Sequence, residues 1–507
     1  MTKDHHKRAV AVFDAAPELL LKEIENFLSR CHRPAALEYG DNLLVLLPGF
    51  YALEIRSGRL SIEIWDETRT VSRRILGIER AATGVLDCTA QKFGGASVRF
   101  SFLDLDRPQS AHRKTCGVRE NFAGQFRQML SRQFPGWEIA SLSSSLDLQH
   151  FFSSVFPRAK LTRGNQSIAA MASPDVREEP NLLAFALLWY DHVRARNRAD
   201  EQTSLCLFLG EDAGTLTAHR LRWLNTETLR PRLFRFNAHG SAGEVDPQDL
   251  GNLDTRVSAR YTPPRLTPDL EALLARLEHI EDTGWCPELT GAISIRSRGW
   301  EFARIEAGRL LLGLGTKRET NRETSACHTE EVANFAVQLA QLRSPVRHQL
   351  PERWFESAVR ANLPKVEPTL LSPVHGQVLS FAAGDRGLID LLASSPDGRL
   401  AVLELKTSED IQLPLQALDY WMRVAWHSQR DELSHLFPAI SLQRRTPKLL
   451  LIAPALAFHS STATLLRYFS PEIDVERIGI NEDWRKDFRV VLHLKGADLP
   501  MSHRRHA

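Results

Sequence analysis

The fold is decided by residues 384–424, which read GDRGLIDLLASSPDGRLAVLELKTSEDIQLPLQALDYWMRV. Apolar runs at 388–392 and 400–405 flank the segment Ser-Ser-Pro-Asp-Gly at 394–398, whose residue types are typical of a tight turn. This pattern predicts a β-hairpin. Pro414 then marks the first turn of a helix, because proline is favoured where the backbone N–H has no helical partner.

The predicted hairpin carries charge on one face. Alternation along the return strand, 400–406, places Glu404 and Lys406 on the same side, about 6 to 7 Å apart. Asp390, in the first strand, is expected opposite them. Burying two carboxylates and an ammonium in an apolar hairpin is costly unless the charges pair with one another or bind a cation.

These residue types suit phosphodiester hydrolysis. Mg²⁺ prefers oxygen ligands, which Asp390, Glu404 and the Leu405 carbonyl can supply together with water and phosphate. Lys406 can hold and help to deprotonate the attacking water, while the metal polarises the phosphate. Gln416 and Tyr420, four residues apart on the following helix, share a face that can meet the nucleic-acid backbone.

This arrangement resembles the PD-(D/E)xK nuclease superfamily. The matching residues are Asp390, then Glu404-Leu405-Lys406, then Gln416 and Tyr420, which are similar to the Gln-x-x-x-Tyr motif of RecB-like members. In the helix PERWFESAVRANL, Glu356 looks like the first-helix glutamate that many members use as an extra metal or water contact. The resemblance covers about 346–500; the one departure is Ile389, where the motif name has proline.

The resemblance implies a restriction-endonuclease-like α-β-β-β-α-β core around a four-stranded mixed sheet, within an α/β (mixed α+β) chain. It implies a Mg²⁺- or Mn²⁺-dependent DNA nuclease, expected to be an endonuclease acting in repair or defence. The site residues are Asp390, Glu404, Lys406, Gln416, Tyr420 and Glu356, and the metal ligands are Asp390, Glu404 and the Leu405 carbonyl.

Other interpretations stay open at this point. Alternating charges also occur on exposed edge strands, and Glu356 also fits a solvated helix face. The nuclease fold can serve as a scaffold for non-catalytic nucleic-acid binding or assembly, and the substrate can be RNA rather than DNA. The sequence does not separate a monomer from a homodimer.

The two halves of the chain resemble each other. Residues 49–64 align without gaps on 299–314, and three later segments align in the same order, which predicts a tandem duplication. The predicted modules are a β-rich module at 1–110, a degenerate nuclease-like module at 111–240, a linker and helix at 241–282, a second small β module at 283–345, and the nuclease domain at 346–507. In the degenerate copy, Ala170 and Ala172 align with Glu404 and Lys406, and Phe185 aligns with Gln416.

Composition places few limits on function. The 507 residues predict about three domains, and 43% hydrophobic with 25% charged residues is typical of a soluble globular chain. The net charge of +2 does not indicate a polyanion-binding protein, so any charged site is local. Six scattered cysteines without metal-site spacing favour a reducing, cytoplasmic location, and no apolar stretch is long enough to span a membrane.

Overall fold

A computed structural model describes residues 16–38, 42–46, 51–56, 58–65, 70–82, 84–91, 97–104, 122–145, 147, 150–198, 200–237, 239–249, 255–257, 261–312, 327–341, 351–382 and 385–498. The fold is mixed α/β with several sheets, as predicted. The chain divides into two compact units, Met1–Asp249 and Leu250–Ala507, and this division falls inside the predicted linker at 241–282. The predicted boundaries at 110/111 and 345/346 lie outside the described residues.

The first unit contains two sheets. Its first module comprises α1 Pro17–Leu28, β1 Pro34–Glu38, β2 Asn42–Val45, β3 Tyr51–Arg56, β4 Arg59–Trp65, β5 Thr70–Ala82, β6 Val85–Gln91 and β7 Ser97–Asp104. Its second comprises α2 (122–133), β8 Glu138–Ser143, β9 Arg158–Arg163, β10 Gln166–Ser173, α3 Glu179–Ala195, β11 Gln202–Gly210, α4 Thr215–Arg222, α5 Thr226–Leu229, β12 Arg232–Phe236 and β13 Ala242–Val245.

The second unit also contains two sheets. Its small module comprises α6 Pro268–Leu277, β15 Thr283–Pro287, β16 Ile293–Ser297, β17 Trp300–Glu306, β18 Arg309–Leu312 and α7 Cys327–Gln341. The larger sheet and its helices comprise β14 Thr255–Val257, α8 Pro351–Ala361, α9 Leu363–Val366, β19 Leu371–Ala382, β20 Asp385–Ser394, β21 Leu400–Leu405, α10 Leu413–Gln429, β22 Lys448–Pro454, α11 Thr462–Leu466, β23 Asp474–Ile480 and β24 Val490–Lys495.

The larger α/β sheets of the two units share one topology. The first sheet runs β8-β9-β10-β11-β12-β13 and the second runs β19-β20-β21-β22-β23-β24, with β14 added at its edge. In both sheets the third strand is parallel to the fourth and the fourth to the fifth, while the other neighbours in these runs are antiparallel. Each sheet is preceded by a helix, α2 or α8, and has a long helix, α3 or α10, between its third and fourth strands.

The β modules share a hairpin but differ in size. Ile55 pairs with Leu60 in one hairpin, and Ile305 pairs with Leu310 in the other, as the sequence alignment predicts. The hairpin belongs to a seven-stranded antiparallel sheet in the first unit and to a four-stranded one, β15-β16-β17-β18, in the second.

The segment predicted as a linker contributes strands to both units. Ala242–Val245 pairs with β12 in the first unit, and Thr255–Val257 pairs with β19 in the second. Helix α6 packs in the core of the small module. The Gly, Asp and Pro residues of the predicted linker indicated turns. Between those turns, pairing at sheet edges provides hydrogen-bond partners for the backbone groups.

Candidate active site

The hairpin that carries the candidate site forms as predicted. Leu391 pairs with Leu403 and Leu392 with Val402, and continuing this register by one residue brings Asp390 opposite Glu404. At the turn, the Gly398 N–H donates to the Ser395 carbonyl over 2.9 Å. Gly398 has φ +79°, and a Cβ atom there would lie 2.0 Å from the Ser441 carbonyl oxygen.

Gly398→Ala is therefore expected to destabilise the protein by about 2–4 kcal/mol, because it combines a left-handed backbone with a backbone clash. Urea unfolding measures the loss. The control is Gly164→Ala, at the matching β9–β10 turn, where φ is +62° but no atom lies within 4 Å of the added Cβ. An equal loss in both variants would contradict the steric part of the prediction.

Two faces of the hairpin have different environments. Leu391, Ala393, Leu403 and Leu405 belong to the core that includes Trp354, Phe355 and Val359 of α8. Alternation places Asp390, Glu404 and Lys406 on the other face, the side that packs against α10. We call these three residues the acid–lysine cluster.

Glu404 is the most constrained member of the cluster. Its side chain is 0% exposed, and neither carboxylate oxygen has a hydrogen-bond partner. The Lys406 Nζ atom lies 3.7 Å from Glu404 Oε1. Burial, followed by the nearby charge of Asp390, raises the pKa of Glu404 well above its usual value.

Asp390 is held by the backbone of the neighbouring strand. The Leu405 N–H donates to Asp390 Oδ2 over 3.0 Å. Burial raises the pKa of Asp390 to about 6, although Lys406 and the Leu405 N–H favour the ionised form. Both carboxyls are thus protonated more easily than exposed ones, because burial disfavours their ionised forms.

Lys406 keeps its positive charge. Its backbone N–H donates to the Ile452 carbonyl of β22 over 3.0 Å, which fixes its position just beyond β21. Burial disfavours the charged ammonium, but the surrounding carboxylates, Glu404 first among them, outweigh burial and raise the pKa of Lys406. A charged lysine at this place can orient water or a phosphate oxygen.

Gln416 and Tyr420 share a face of α10, as predicted. Gln416 Nε2 donates to the Tyr420 hydroxyl over 3.2 Å. Burial raises the pKa of Tyr420, and the largest charge contribution comes from Glu404. The α10 pair therefore lies within electrostatic range of the acid–lysine cluster.

Glu356 has a different environment. It lies on α8, and its Oε1 atom is 3.0 Å from Arg360 Nη2 and 3.6 Å from Arg296 Nη1. Glu356 also raises the pKa of Asp390, so its charge reaches one member of the cluster. Its role as a site residue stays a prediction, and its arginine partners give it a second role in fixing α8.

Two acidic residues near the cluster were not identified from the sequence. The charges of Glu352 on α8 and of Asp410 after β21 both act on Glu404 and Lys406. Asp410 also accepts a hydrogen bond from the Gln412 N–H over 2.8 Å, just before α10. Glu352 precedes Glu356 by one helical turn, and this spacing was the available signal.

The acid–lysine cluster offers carboxylate oxygens, the ligand type that a divalent cation such as Mg²⁺ prefers. Within the described ranges, no group of three or more His, Cys, Asp or Glu side chains is arranged to hold a metal ion. Mg²⁺ commonly takes only one or two carboxylates and completes its octahedron with water and substrate phosphate. The two Glu404 oxygens without hydrogen-bond partners and the facing Asp390 meet that requirement, and the Leu405 carbonyl stays a predicted ligand.

Among the described residues of the first unit, the positions equivalent to the acid–lysine cluster hold no acidic side chain. Met171 pairs with Leu207 of β11 as Glu404 pairs with Leu451 of β22. Hydrogen bonds from the long helices support this equivalence. Tyr190 Oη of α3 donates to the Thr203 carbonyl at the start of β11. Trp421 Nε1 of α10 donates to the Pro447 carbonyl just before β22.

This register corrects the sequence alignment by one residue. Ala170 and Ala172 lie in the core with α2, so Met171 and Ser173 occupy the positions of Glu404 and Lys406. Arg158 pairs with Met171 and takes the place of Asp390. Arg158 is 6% exposed, and its guanidinium lies 4.7 Å from the centre of the Phe152 ring.

Comparisons with known proteins give no family for this chain. No protein-family model matches it, and no curated protein matches it significantly. None of the helices in the described ranges has the length and apolar character needed to cross a membrane.

Proposed function

We propose that the second unit is a Mg²⁺- or Mn²⁺-dependent nuclease that hydrolyses phosphodiester bonds of DNA. The observation that carries this proposal is Glu404, a fully buried carboxylate with no hydrogen-bond partner, 3.7 Å from Lys406 and in register with Asp390. A buried carboxylate without hydrogen bonds is costly even beside a lysine, and a bound cation would offset that cost.

The order of elements supports the same proposal. Helix α8, strands β19, β20 and β21, helix α10 and strand β22 follow one another as α-β-β-β-α-β in a mixed sheet. This is the order implied by the resemblance to PD-(D/E)xK nucleases. The candidate residues lie at the end of β21 where the parallel strands finish, the edge at which open α/β sheets bind ligands.

Each residue has a defined part in the proposed reaction. Asp390 and Glu404, with the Leu405 carbonyl, would hold the metal, which would polarise the phosphate and stabilise the leaving oxygen. Lys406 orients the attacking water and lowers the cost of its deprotonation. The hydrogen-bonded pair Gln416 and Tyr420 orients Lys406 or the DNA backbone, and Glu356 supports the site from α8.

We infer that the first unit has no hydrolytic activity. Arg158, Met171 and Ser173 occupy the positions of the acid–lysine cluster, and this set offers no carboxylate to a cation. The Arg158 guanidinium instead donates to the Ser145 carbonyl over 2.8 Å and lies against aromatic rings. On the corresponding face of the first unit, the Arg158 guanidinium therefore has protein partners rather than a metal site beside it.

A substrate panel tests the proposed activity. The full chain is incubated with single-stranded, duplex, flapped, branched and mismatched DNA and with RNA, in Mg²⁺, in Mn²⁺ or in EDTA. We expect cleavage of at least one DNA form that requires a divalent ion. Cleavage of RNA alone would overturn the proposed substrate, and cleavage of no form with either ion would overturn the enzyme proposal.

A further inference from the structure

A buried arginine of the small β module points at α8. Arg296, on β16, is 7% exposed, and its Nε atom donates to the Ser294 hydroxyl over 2.8 Å. Its Nη1 atom is buried without a hydrogen-bond partner and lies 3.6 Å from Glu356 Oε1. A buried guanidinium nitrogen without a hydrogen bond is costly, so its charge is compensated by the Glu356 carboxylate.

The turn between β16 and β17 fixes this approach. Gly299 has φ +79°, and a Cβ atom there would lie 2.3 Å from the backbone nitrogen of Trp354. The neighbouring Arg298 places its guanidinium 6.0 Å from the centre of the Trp354 ring and is held by Asp282 over 2.8 Å. The turn therefore contacts the first turns of α8 with backbone against backbone.

On the other side, Glu356 is fixed against the large sheet. Arg360 donates to Glu356 Oε1 through Nε and Nη2 and to the Val374 carbonyl through Nη1. The Arg360 Nη2 atom lies 1.6 Å from the place of a Cβ atom on Gly376, so a larger residue there would displace the guanidinium from this position. Gly376 pairs with Leu391, which is adjacent to Asp390.

We infer that Arg296 is a positioning residue for the candidate metal centre. It joins the small β module to α8 through Glu356, and Arg360 joins Glu356 to β19, where Gly376 pairs with Leu391, the neighbour of Asp390. The small module is therefore part of the metal-binding unit. This inference rests on the proposed function, since it concerns the geometry of that same site.

Metal binding measures the effect of Arg296→Met directly. Mn²⁺ is titrated into the full chain and followed by electron paramagnetic resonance, and the Mg²⁺ dependence of DNA cleavage is measured in parallel. We expect Arg296→Met to weaken Mn²⁺ binding by about 10- to 100-fold, the range usual for residues that orient metal ligands. Arg296→Lys restores the charge and is expected to recover most of the affinity.

Arg304→Met is the matched control. Arg304 is ion-paired to Glu288 over 2.7 Å and to Glu301 over 2.9 Å, both inside the small β module. Arg304→Met is expected to destabilise the small β module while leaving the Mn²⁺ affinity within about threefold of that of the original chain. Arg296→Gln, which keeps a polar side chain, replaces Arg296→Met if the latter does not fold by circular dichroism.

The experiment distinguishes failure of the positioning role from failure of the proposed function. Suppose that the original chain binds Mn²⁺ and cleaves DNA, and that Arg296→Met binds Mn²⁺ as tightly as Arg304→Met and the original chain do. The positioning role is then overturned and the proposed function stands. If the original chain neither binds Mn²⁺ nor cleaves nucleic acid, the proposed function fails and this inference fails with it.

Discussion

Lys406→Ala is expected to lower metal-dependent cleavage by about 10²- to 10³-fold, the usual contribution of one positioned hydrogen-bond donor or charge in an active site. Lys406 Nζ lies 3.7 Å from Glu404 Oε1, and its side chain is 15% exposed, so it is placed to meet water at the edge of the site. The fold should survive, because Glu404 can take up a proton once its counter-charge is lost.

Lys448→Ala is the matched control for Lys406. Lys448 is, like Lys406, a partly buried lysine of this sheet, paired to Glu367 and, over 3.0 Å, to Glu476. It lies at the start of β22, whereas Lys406 follows the end of the parallel strand β21. We expect Lys448→Ala to lose about 3–5 kcal/mol of stability but to cleave normally while folded.

The Lys406 variant also tests the proposed inactivity of the first unit. Because Arg158, Met171 and Ser173 replace the cluster there, all cleavage by the full chain should depend on Lys406. Activity of Lys406→Ala within threefold of the original chain would contradict the expectation that all cleavage depends on Lys406.

The hairpin was predictable because its signals are local. Alternation along 400–406, the turn residues at 394–398 and the helix start at Pro414 each concern neighbours in sequence, and all three agree with the structure. The spacing of Gln416 and Tyr420 was predictable for the same reason, and the two side chains form a hydrogen bond. The facing of Asp390 and Glu404 then follows from the register of one short turn.

The alignment of the two units failed by one residue for a physical reason. A shift of one residue in a strand exchanges its faces, and Gln-Ser-Ile-Ala-Ala-Met-Ala-Ser at 166–173 has small or apolar residues on both faces. Composition therefore could not distinguish Ala170 from Met171 as the equivalent of Glu404. Pairing with β11 and burial against α2 decide the register.

The surroundings of Glu356 were not predictable from the sequence. Arg296 lies far from it in the chain and reaches it only through packing of the small module on α8. Helical spacing makes Glu352 and Glu356 neighbours but does not say which of them faces the cluster. Tertiary contacts determine that choice. Two arginines hold the Glu356 carboxylate, whereas the charge of Glu352 acts on Lys406.

Asp390→Asn and Glu404→Gln are expected to abolish metal-dependent cleavage and, in EDTA at pH 7, to stabilise the fold. The pKa of Asp390 is about 6 in the folded chain against an ordinary 3.8, so the folded state binds the Asp390 proton more tightly than the unfolded state does. The stability that this proton contributes is complete below about pH 4 and is lost as the pH rises to 6. Asp390→Asn removes that loss, a gain on the order of 3 kcal/mol at pH 7.

Glu404→Gln is also expected to stabilise the fold in EDTA. The gain begins near pH 4.5 and grows as the pH rises, because burial raises the pKa of Glu404 well above its usual value. Glu367→Gln is the opposing control. Glu367 is 5% exposed, and although burial favours its neutral form, hydrogen bonds from Lys448 and Thr369 lower its pKa. Glu367→Gln should therefore be less stable than the original chain at pH 7.

Urea unfolding from pH 4 to pH 8, with and without Mg²⁺, measures these differences. The original chain should gain stability from Mg²⁺, by about 2.7 kcal/mol at 100 times the dissociation constant, and the two site variants should gain none. This opposition is expected from one cause, since the buried charges that destabilise the hairpin in EDTA are those proposed to bind the ion. A site variant that is less stable than the original chain in EDTA, or that is stabilised normally by Mg²⁺, would show that Asp390 and Glu404 serve the fold rather than a metal.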